Sequence, residues 1–327
     1  MTGTLDQAAR VKRGLNLGWL TGPLPIRIKA PLSRANADVE IDLAPAGLDN
    51  PLPGVSKAAG KPGKATFQIK PSLDGASVSN LAVDFGTVSF RGSAEVALDG
   101  AIQTAKITQA RISPGDSLQA DVVNTASTIK ANVRGSTLDA RPLLKSVTEQ
   151  GSPSQAGEKD FDLDMKIAAA TGANRQTIAG LDLNFSRRNG DDRLNALRGR
   201  LGQGTIAAGR GEDGLLRLTA GDAGALAKFA DLYARMEGGN LDLVLETNGE
   251  TSAGRATVTN FALRDEPAFG RLVAAAPSPG PGQAVDPQLI RFQKMTMAFE
   301  RTPGQLDIRD AVIFNPNMGL KIGRAHV

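Results

Sequence analysis

The sequence predicts a mainly β protein with a long antiparallel sheet and a few short amphipathic helices. One observation is that apolar and polar residues alternate along many short segments, as in Asp38–Leu43, where each apolar residue follows an acidic one. A second is that turn-forming sequences separate these segments at intervals of about 8 to 12 residues. That spacing is typical of antiparallel meanders and differs from the longer spacing of βαβ units.

The first region, residues 1–136, is predicted to consist of such strands. Asp38–Leu43 is followed by a Pro- and Gly-rich connection and by Ala65–Lys70. Asp99-Gly100 lies between two alternating segments, and this dipeptide is a strong signal for a tight hairpin. The other predicted strands of this region span 81–85, 88–90, 95–98, 102–112, 118–123 and 128–133.

Residues 137–321 form the second predicted region, which begins with a helix. We expect a helix over 139–148, because Asp139 is a suitable N-cap and Pro142 is tolerated in a first turn. The polar segment Gln150–Lys159 is predicted to be a linker or long loop. Strands are then predicted at 160–167, 181–185, 194–201, 205–208, 215–218, 241–246, 255–263, 295–299 and 306–313.

Two further helices are predicted in the second region. The first spans 222–237: Asp222 is a plausible N-cap, apolar residues recur at helical spacing, and Gly238-Gly239 supplies a left-handed stop. The second spans 265–276 and starts near Asp265-Glu266. A flexible Pro- and Gly-rich loop is expected over 277–287.

Composition excludes several classes of chemistry. The 327 residues contain no Cys, and the single His is His326, so disulfides, thiolate nucleophiles, zinc-thiolate sites and His-dependent triads lack their usual residues. The net charge is +4 and the basic residues are scattered, which argues against nucleic-acid binding. The sequence therefore predicts a protein that is not an enzyme and needs no cofactor or metal.

Three motifs resemble functional sites without their full pattern. Asp160, Asp162 and Asp164 alternate as in a calcium loop, but apolar residues lie between them and the required glycine is missing. The Gly-rich segments 60–64 and 199–204 lack the spacing of phosphate-binding loops. Asp265-Glu266 resembles a carboxylate pair, yet it is explained more simply as a helix start. We interpret these as an acidic strand face, two turns and a cap.

The apolar positions of the alternating strands are the candidate functional residues. They would form either the closed core of a β-sandwich or one open apolar face, and alternation alone does not separate these two structures. The candidates are Val39, Ile41, Leu43, Phe67, Ile69, Leu81, Val83, Phe85, Phe90, Phe161, Leu163, Met165, Leu181, Leu183, Phe185, Leu241, Leu243, Leu245, Met295, Met297 and Phe299.

Residues 137–321 resemble the C-terminal region of large AsmA-like proteins of Gram-negative bacteria, in particular the YhdP-like branch. Residues 1–136 share only the strand rhythm. The segments that carry the resemblance are Leu232-Tyr-Ala-Arg-Met-Glu-Gly-Gly, Leu241-Asp-Leu-Val-Leu, Asn260-Phe-Ala-Leu-Arg-Asp-Glu-Pro-Ala-Phe, Arg271-Leu-Val-Ala-Ala-Ala-Pro, Ile290-Arg-Phe-Gln-Lys-Met and Asp310-Ala-Val-Ile-Phe-Asn-Pro-Asn-Met-Gly-Leu.

The resemblance implies a periplasmic protein, anchored in the inner membrane, whose elongated sheet curls into a hydrophobic groove. Its expected partners are phospholipid acyl chains, carried between the inner and outer membranes during outer-membrane biogenesis, and the family supplies no catalytic residues. The sequence lacks a run of about 20 apolar residues that would serve as an anchor. We therefore expect this chain to be a fragment.

The last six residues, Ile322-Gly-Arg-Ala-His-Val327, match one reading frame of a common sequencing adapter, so we expect 322–327 to be an artefact and not a natural basic tail. Two other functions stay open. One is a structural or adhesive β-sandwich or β-solenoid module of a surface protein. The other is a carbohydrate-active envelope enzyme, although one Trp and one Tyr provide few rings for sugar stacking.

Overall fold

The structure is a computed structural model, which describes residues 1–12, 17–31, 36–149, 159–248, 251–267, 288–302, 305–315 and 318–326. Strands make up 68% of the described residues and helices 8%, which confirms the mainly β class. The chain forms two compact units. Unit 1 comprises Met1–Leu143, Ala156–Ala168 and Arg187–Gly190, and unit 2 comprises Leu144–Gln155, Ala169–Ser186 and Asp191–Val327.

Unit 1 contains an antiparallel meander of long strands. The strands span Thr2–Leu5 (β1), Leu24–Lys29 (β3), Ala37–Asp42 (β4), Gly63–Ser72 (β7), Gly75–Phe85 (β8), Val88–Ala97 (β9), Ile102–Arg111 (β10), Ser117–Asn124 (β11) and Thr128–Asp139 (β12). They pair in the order β1–β3–β4–β7–β8–β9–β10–β11–β12. β13, Asp160–Thr171, begins in this unit.

A small three-stranded sheet accompanies the meander in unit 1. It is formed by Leu20–Thr21 (β2), Gly47–Asp49 (β5) and Ser56–Lys57 (β6). Its apolar residues Leu20 and Leu48 share a buried cluster with Ala65 of β7, Phe85 of β8 and Val88 of β9. The small sheet therefore covers one end of the long strands.

Unit 2 contains a second antiparallel meander. Its strands span Asp191–Leu201 (β15), Gly204–Arg210 (β16), Leu216–Ala220 (β17), Met236–Asn248 (β18), Thr251–Arg264 (β19), Leu289–Thr302 (β20), Gln305–Asn315 (β21) and Met318–His326 (β22). These strands pair in sequence order. β14, Thr177–Arg188, belongs to unit 2 up to Ser186 and to unit 1 from Arg187, and a 3-10 turn at Ala173–Arg175 precedes it. Residues 322–326, expected to be an artefact, lie in β22.

Within the described residues, three short α-helices interrupt the strands: Gln7–Lys12 (α1), Arg141–Glu149 (α2) and Ala223–Phe229 (α3). α1 was not predicted from the sequence. It is anchored by Arg10, which is 2% exposed and donates hydrogen bonds to the carbonyls of Leu20 and Gly22 at 3.2 and 2.8 Å. α2 confirms the helix predicted over 139–148, and the Asp139 carboxylate accepts from the Arg141 backbone N–H at 3.1 Å.

α3 is shorter than the predicted helix over 222–237. Asp222 caps it as expected, accepting from the Ala225 N–H at 2.9 Å. The helix ends at Phe229 and Asp231 adopts a φ of 56°, so the chain leaves the helix before Tyr233. Met236 is already in β18, opposite Leu263 of β19. Strand pairing thus overrides the helical spacing of the apolar residues.

One predicted turn is described by the structure, whereas several predicted connections are not. The Asp99-Gly100 hairpin is confirmed between β9 and β10, with Gly100 at a φ of 87°. The predicted linker at 150–159, apart from Lys159, and the predicted loop at 277–287 lie outside the described residues, as does the predicted helix at 265–276 beyond Pro267. The curl of the sheet and the groove remain predictions.

Candidate functional site

The predicted apolar residues differ in how much of each side chain is covered. Val39, Leu43, Phe85, Met165 and Leu181 are buried, each less than a tenth exposed. The others are half-buried: Ile41, Phe67, Ile69, Leu81, Val83, Phe90, Phe161, Leu163, Leu183, Phe185, Leu241, Leu243, Leu245, Met295, Met297 and Phe299. Partial exposure of so many large apolar side chains indicates that the strands have an incompletely covered face.

Strand register in unit 1 aligns apolar residues into rows that run across the strands. Residues directly opposite each other in antiparallel pairs project to the same face. One row crosses β8 to β12 and consists of Leu81, Gly92, Ile107, Ala120 and Val133. The next row crosses β7 to β12 and consists of Ile69, Val78, Ala94, Ala105, Val122 and Ala131. Every member of both rows is half-buried.

The reverse side of these strands in unit 1 is polar. Glu40 of β4 forms an ion pair with Lys64 of β7 at 3.1 Å, and Arg91 of β9 pairs with Asp84 of β8 at 2.8 Å. A depression of about 460 Å³ beside Asp84 and Arg91 lies on this side, and Arg111 also lines it. Each strand therefore separates a charged face from an aliphatic one.

Unit 2 has the same two-sided arrangement with larger side chains. Its first row is Ile206, Ala220, Leu241, Val258, Met295 and Ile313. Its second row is Leu197, Ala208, Leu218, Leu243, Ala256 and Met297. Its third row is Leu216, Leu245, Gly254, Phe299 and Ile308.

α3 and the ends of β18 to β20 cover the apolar face of unit 2 at the first row. Ala223 of α3 joins Val258, Phe261 and Phe292 in a buried cluster. The rings of Phe261 and Phe292 are stacked with centroids 5.4 Å apart. In the second and third rows, Leu243, Leu245, Met297 and Phe299 are half-buried. The face is thus closed beneath α3, and the large side chains of the second and third rows are less covered.

A glycine shapes the third row of unit 2. A Cβ at Gly254 would lie 2.6 Å from Leu245 Cδ2 and 2.7 Å from Phe299 Cζ, because these two side chains extend over the glycine from either side. The strands bearing these residues are polar on the reverse, where Asp242, Thr257 and Thr296 are paired. The third row, from Leu216 to Ile308, is therefore aliphatic and aromatic and continues across Gly254.

The motifs that resembled catalytic or metal sites are occupied by protein contacts. Arg188 pairs with Asp162 at 2.5 Å and lies 3.8 Å from Asp160, while Arg134 pairs with Asp164 at 2.7 Å. The Tyr233 hydroxyl donates to the Glu266 carboxylate. Burial, followed by this contact with Glu266, raises the pKa of the Tyr233 phenol. These groups hold the fold together.

In the described part of the chain, no group of three or more His, Cys, Asp or Glu side chains is arranged to hold a metal ion. Within the same residues, no helix combines the length and the apolar character that crossing a bilayer requires.

The rows contain residues that the sequence did not single out. Ile107, Ala120 and Val133 lie in predicted strands. They belong to the candidate surface only because strand pairing aligns β10, β11 and β12 with Leu81 of β8. Alternation in 102–112, 118–123 and 128–133 was the available signal, and small residues such as Ala120 weakened it.

Comparison with protein-family models found no match, and comparisons with curated proteins and with solved structures found no significant similarity. Membership of the AsmA-like family therefore stays a prediction.

Proposed function

We propose that this protein binds phospholipid acyl chains along its apolar strand faces and takes part, without catalysis, in moving phospholipid between the inner and outer membranes. The observation that carries the proposal is the set of half-buried aliphatic rows backed by a charged face. Acyl chains are apolar and flexible, so their transfer from water to an apolar surface is favourable in free energy and needs no directional contacts. Transfer of each methylene group out of water contributes about 0.8 kcal/mol.

The dimensions of the rows suit such a ligand. Neighbouring strands lie about 4.8 Å apart, so a row over five strands, such as the one from Leu81 to Val133, spans about 19 Å. An extended chain of about 16 carbons has a similar length, given carbon–carbon bonds of about 1.5 Å. Ala and Gly positions between the larger side chains leave space along the row. One acyl chain lying across the strands would contact every member.

We further propose that the sheet curls into an elongated groove and that the protein is an AsmA-like periplasmic component of the cell envelope, anchored at the inner membrane. The two-sided strands support this, because a charged reverse face stays in water while the aliphatic face holds lipid.

Photo-crosslinking tests the proposal. A photoreactive amino acid at Leu243 or Met297 should crosslink to phospholipid, whereas the same group at Val244 or Arg255, on the reverse face of β18 and β19, should not. Leu243→Asp should lower lipid capture at Met297 at least about tenfold, because it places a carboxylate in the acyl path. Asp242→Asn is the matched control and should leave capture unchanged. Equal crosslinking from both faces would reject acyl-chain binding on the apolar rows.

A structural or adhesive β-sandwich module is the second candidate. The buried clusters beneath the small sheet and beneath α3 favour it, because both are closed aliphatic cores. Under this alternative the half-buried rows would be covered by protein, and no position on either face would capture lipid.

A further inference from the structure

Two hairpins of unit 1 carry leucines at their tips. Leu73, between β7 and β8, is 95% exposed, and Leu98, between β9 and β10, is 78% exposed. Both belong to a Leu-Asp-Gly sequence, at residues 73–75 and 98–100. The turn accounts for the other two residues: Asp99 accepts from the Ala101 N–H at 2.9 Å, and Gly100 has a φ of 87°. The turn does not require leucine, and tight hairpins favour polar residues.

Strand register places the two tips side by side. Ser72 pairs with Gly75 across the β7–β8 hairpin, and Gly75 also pairs with Ala97 of β9. The tips therefore flank the first residue of β8. At about 4.8 Å between strands, the strands β7 and β9 that lead into them are about 10 Å apart. Ile102, the first residue of β10, is 50% exposed at the same end of the strands. Leu73, Leu98 and Ile102 define what we call the tip edge.

The tip edge continues the apolar face of unit 1. Ala76 pairs with Val96, and Val96 with Ile102, which makes a short apolar row next to the row that contains Val78. At the other end of these strands, Phe85 and Val88 are buried with the small sheet. The aliphatic surface is therefore closed at one end of the strands and reaches exposed leucines at the other.

We propose that the tip edge contacts the boundary between the headgroups and the hydrocarbon of a phospholipid bilayer, so that acyl chains pass directly between the bilayer and the apolar face. This inference rests on the proposed function. Its physical basis is that transfer of largely exposed leucine side chains out of water is favourable. The β9–β10 tip can enter such a boundary because its backbone is internally bonded, with Gly100 N–H donating to the Ala97 carbonyl at 2.9 Å and Ala97 N–H donating to the Ala101 carbonyl at 2.8 Å.

The charges next to the two leucines favour a bilayer without net surface charge. Asp74 and Asp99 follow the two leucines directly, so an anionic surface would repel the tips. A zwitterionic surface carries no net charge and avoids this repulsion. Phosphatidylcholine vesicles are therefore the appropriate probe.

Vesicle flotation with the full chain tests the tip edge. The double variant Leu73→Ser/Leu98→Ser should bind phosphatidylcholine vesicles more weakly by about tenfold for each leucine that enters the bilayer. Leu232→Ser is the matched control, because Leu232 is 73% exposed and lies in unit 2, away from the tip edge in sequence and pairing. Unchanged binding of the double variant, or an equal loss in the control, would overturn the inference.

Fluorescence gives a second readout that does not depend on removing the leucines. In a Trp19→Phe background, Trp substituted at Leu73 or Leu98 should shift to shorter wavelength with vesicles and be quenched by brominated phosphatidylcholine. Trp at Leu232 should show neither effect. A Trp at Leu73 that is quenched no more than one at Leu232 would overturn the inference and point to a protein partner at the tips.

Failure here is distinguishable from failure of the proposed function. Lipid crosslinking at Leu243 is measured with phospholipid supplied in detergent, where no bilayer contact is needed. If crosslinking persists and the Leu73→Ser/Leu98→Ser variant binds vesicles as well as the unsubstituted chain, only the proposed bilayer contact is overturned. Absence of crosslinking in the unsubstituted chain overturns acyl-chain binding, whatever the vesicles show.

Discussion

Two buried charged side chains, those of Asp116 and Lys57, form hydrogen bonds with backbone groups. Asp116 is 6% exposed and accepts from the N–H groups of Ser113 and Asp139 at 2.7 Å each. Lys57 is 7% exposed and donates to the Ala46 carbonyl at 2.6 Å, and desolvation lowers the pKa of its ammonium group. A buried charge with such partners avoids the cost of an unpaired one. These residues are therefore interpreted as structural.

Asp139 gives a pH-dependent prediction. The hydrogen bond from the Arg141 guanidinium holds the pKa of the Asp139 carboxyl below its usual value. Because the folded-state pKa is depressed, the contribution of Asp139 to stability is present above the unfolded-state pKa of about 3.9 and disappears as pH falls through the folded-state pKa. Asp139→Asn should thus lower the free energy of unfolding at pH 7, with a difference from the unsubstituted protein that closes at low pH.

Urea unfolding at a series of pH values between neutral and strongly acidic measures this difference. Arg141→Gln should make the stability less pH-dependent in the same range, because the guanidinium causes the shift. If the difference in free energy of unfolding between Asp139→Asn and the unsubstituted protein does not vary with pH, the role given to the ion pair is contradicted.

Among the elements, β18 and β19 show how an irregular backbone directs side chains. Gly238 and Gly239 have φ values of 63° and 89° within β18, and Asn260 has a φ of 55° within β19. These residues interrupt the alternation of strand faces, as β-bulges do. As a result Val258 and Phe261, three residues apart, belong to the same buried cluster. The cluster beneath α3 depends on these interruptions.

The two glycines of β18 provide a matched pair of substitutions. Gly238→Ala should lower the free energy of unfolding by about 1 to 2 kcal/mol, the usual penalty for a left-handed residue with a Cβ. No steric term is added, because that Cβ would meet no atom within 4 Å. Gly239→Ala should cost more, about 2 to 5 kcal/mol, since its Cβ would lie 2.8 Å from Phe261 Cβ. Chemical denaturation measures both values. Equal costs would show that contact with Phe261 does not limit residue 239.

Across the whole molecule, apolar residues of similar type have different roles. In each unit one end of the apolar face is closed, by the small sheet in unit 1 and by α3 in unit 2, while the large side chains of the rows farther from it, such as Leu81 and Leu243, are half-buried. The closed clusters stabilise the fold, and the half-buried rows are the surfaces proposed for lipid. The distinction depends on which strands are covered and not on residue type.

Phe85 and Leu81, four residues apart on β8, test this distinction. Phe85 is 6% exposed beneath the small sheet, so Phe85→Asp should destabilise the protein by about 3 to 5 kcal/mol or prevent folding. Leu81 is half-buried in an open row, so Leu81→Asp should leave the protein folded while reducing acyl-chain crosslinking at Ile107. Circular dichroism and crosslinking together measure both effects. A folded Phe85→Asp variant would contradict the assignment of Phe85 to the closed core.

Local sequence was sufficient to predict much of the fold. Asp38–Leu43 and Ala65–Lys70 form strands because period-two alternation gives each strand one apolar face. Asp222 and Asp139 lie at helix starts because their carboxylates accept from the first free N–H groups. These features depend on residues within a few positions of each other along the chain.

The tertiary structure decided the remainder, because it depends on contacts between distant residues. Strand pairing with Leu263 moved Met236 out of the predicted helix, and the glycines expected to end that helix lie inside a strand. Register aligned Leu81 with Val133 across three intervening strands. The sequence alone determined which residues are apolar and where many of the strands and turns occur. Only long-range packing decided which apolar residues are covered, since burial depends on neighbours that alternation does not specify.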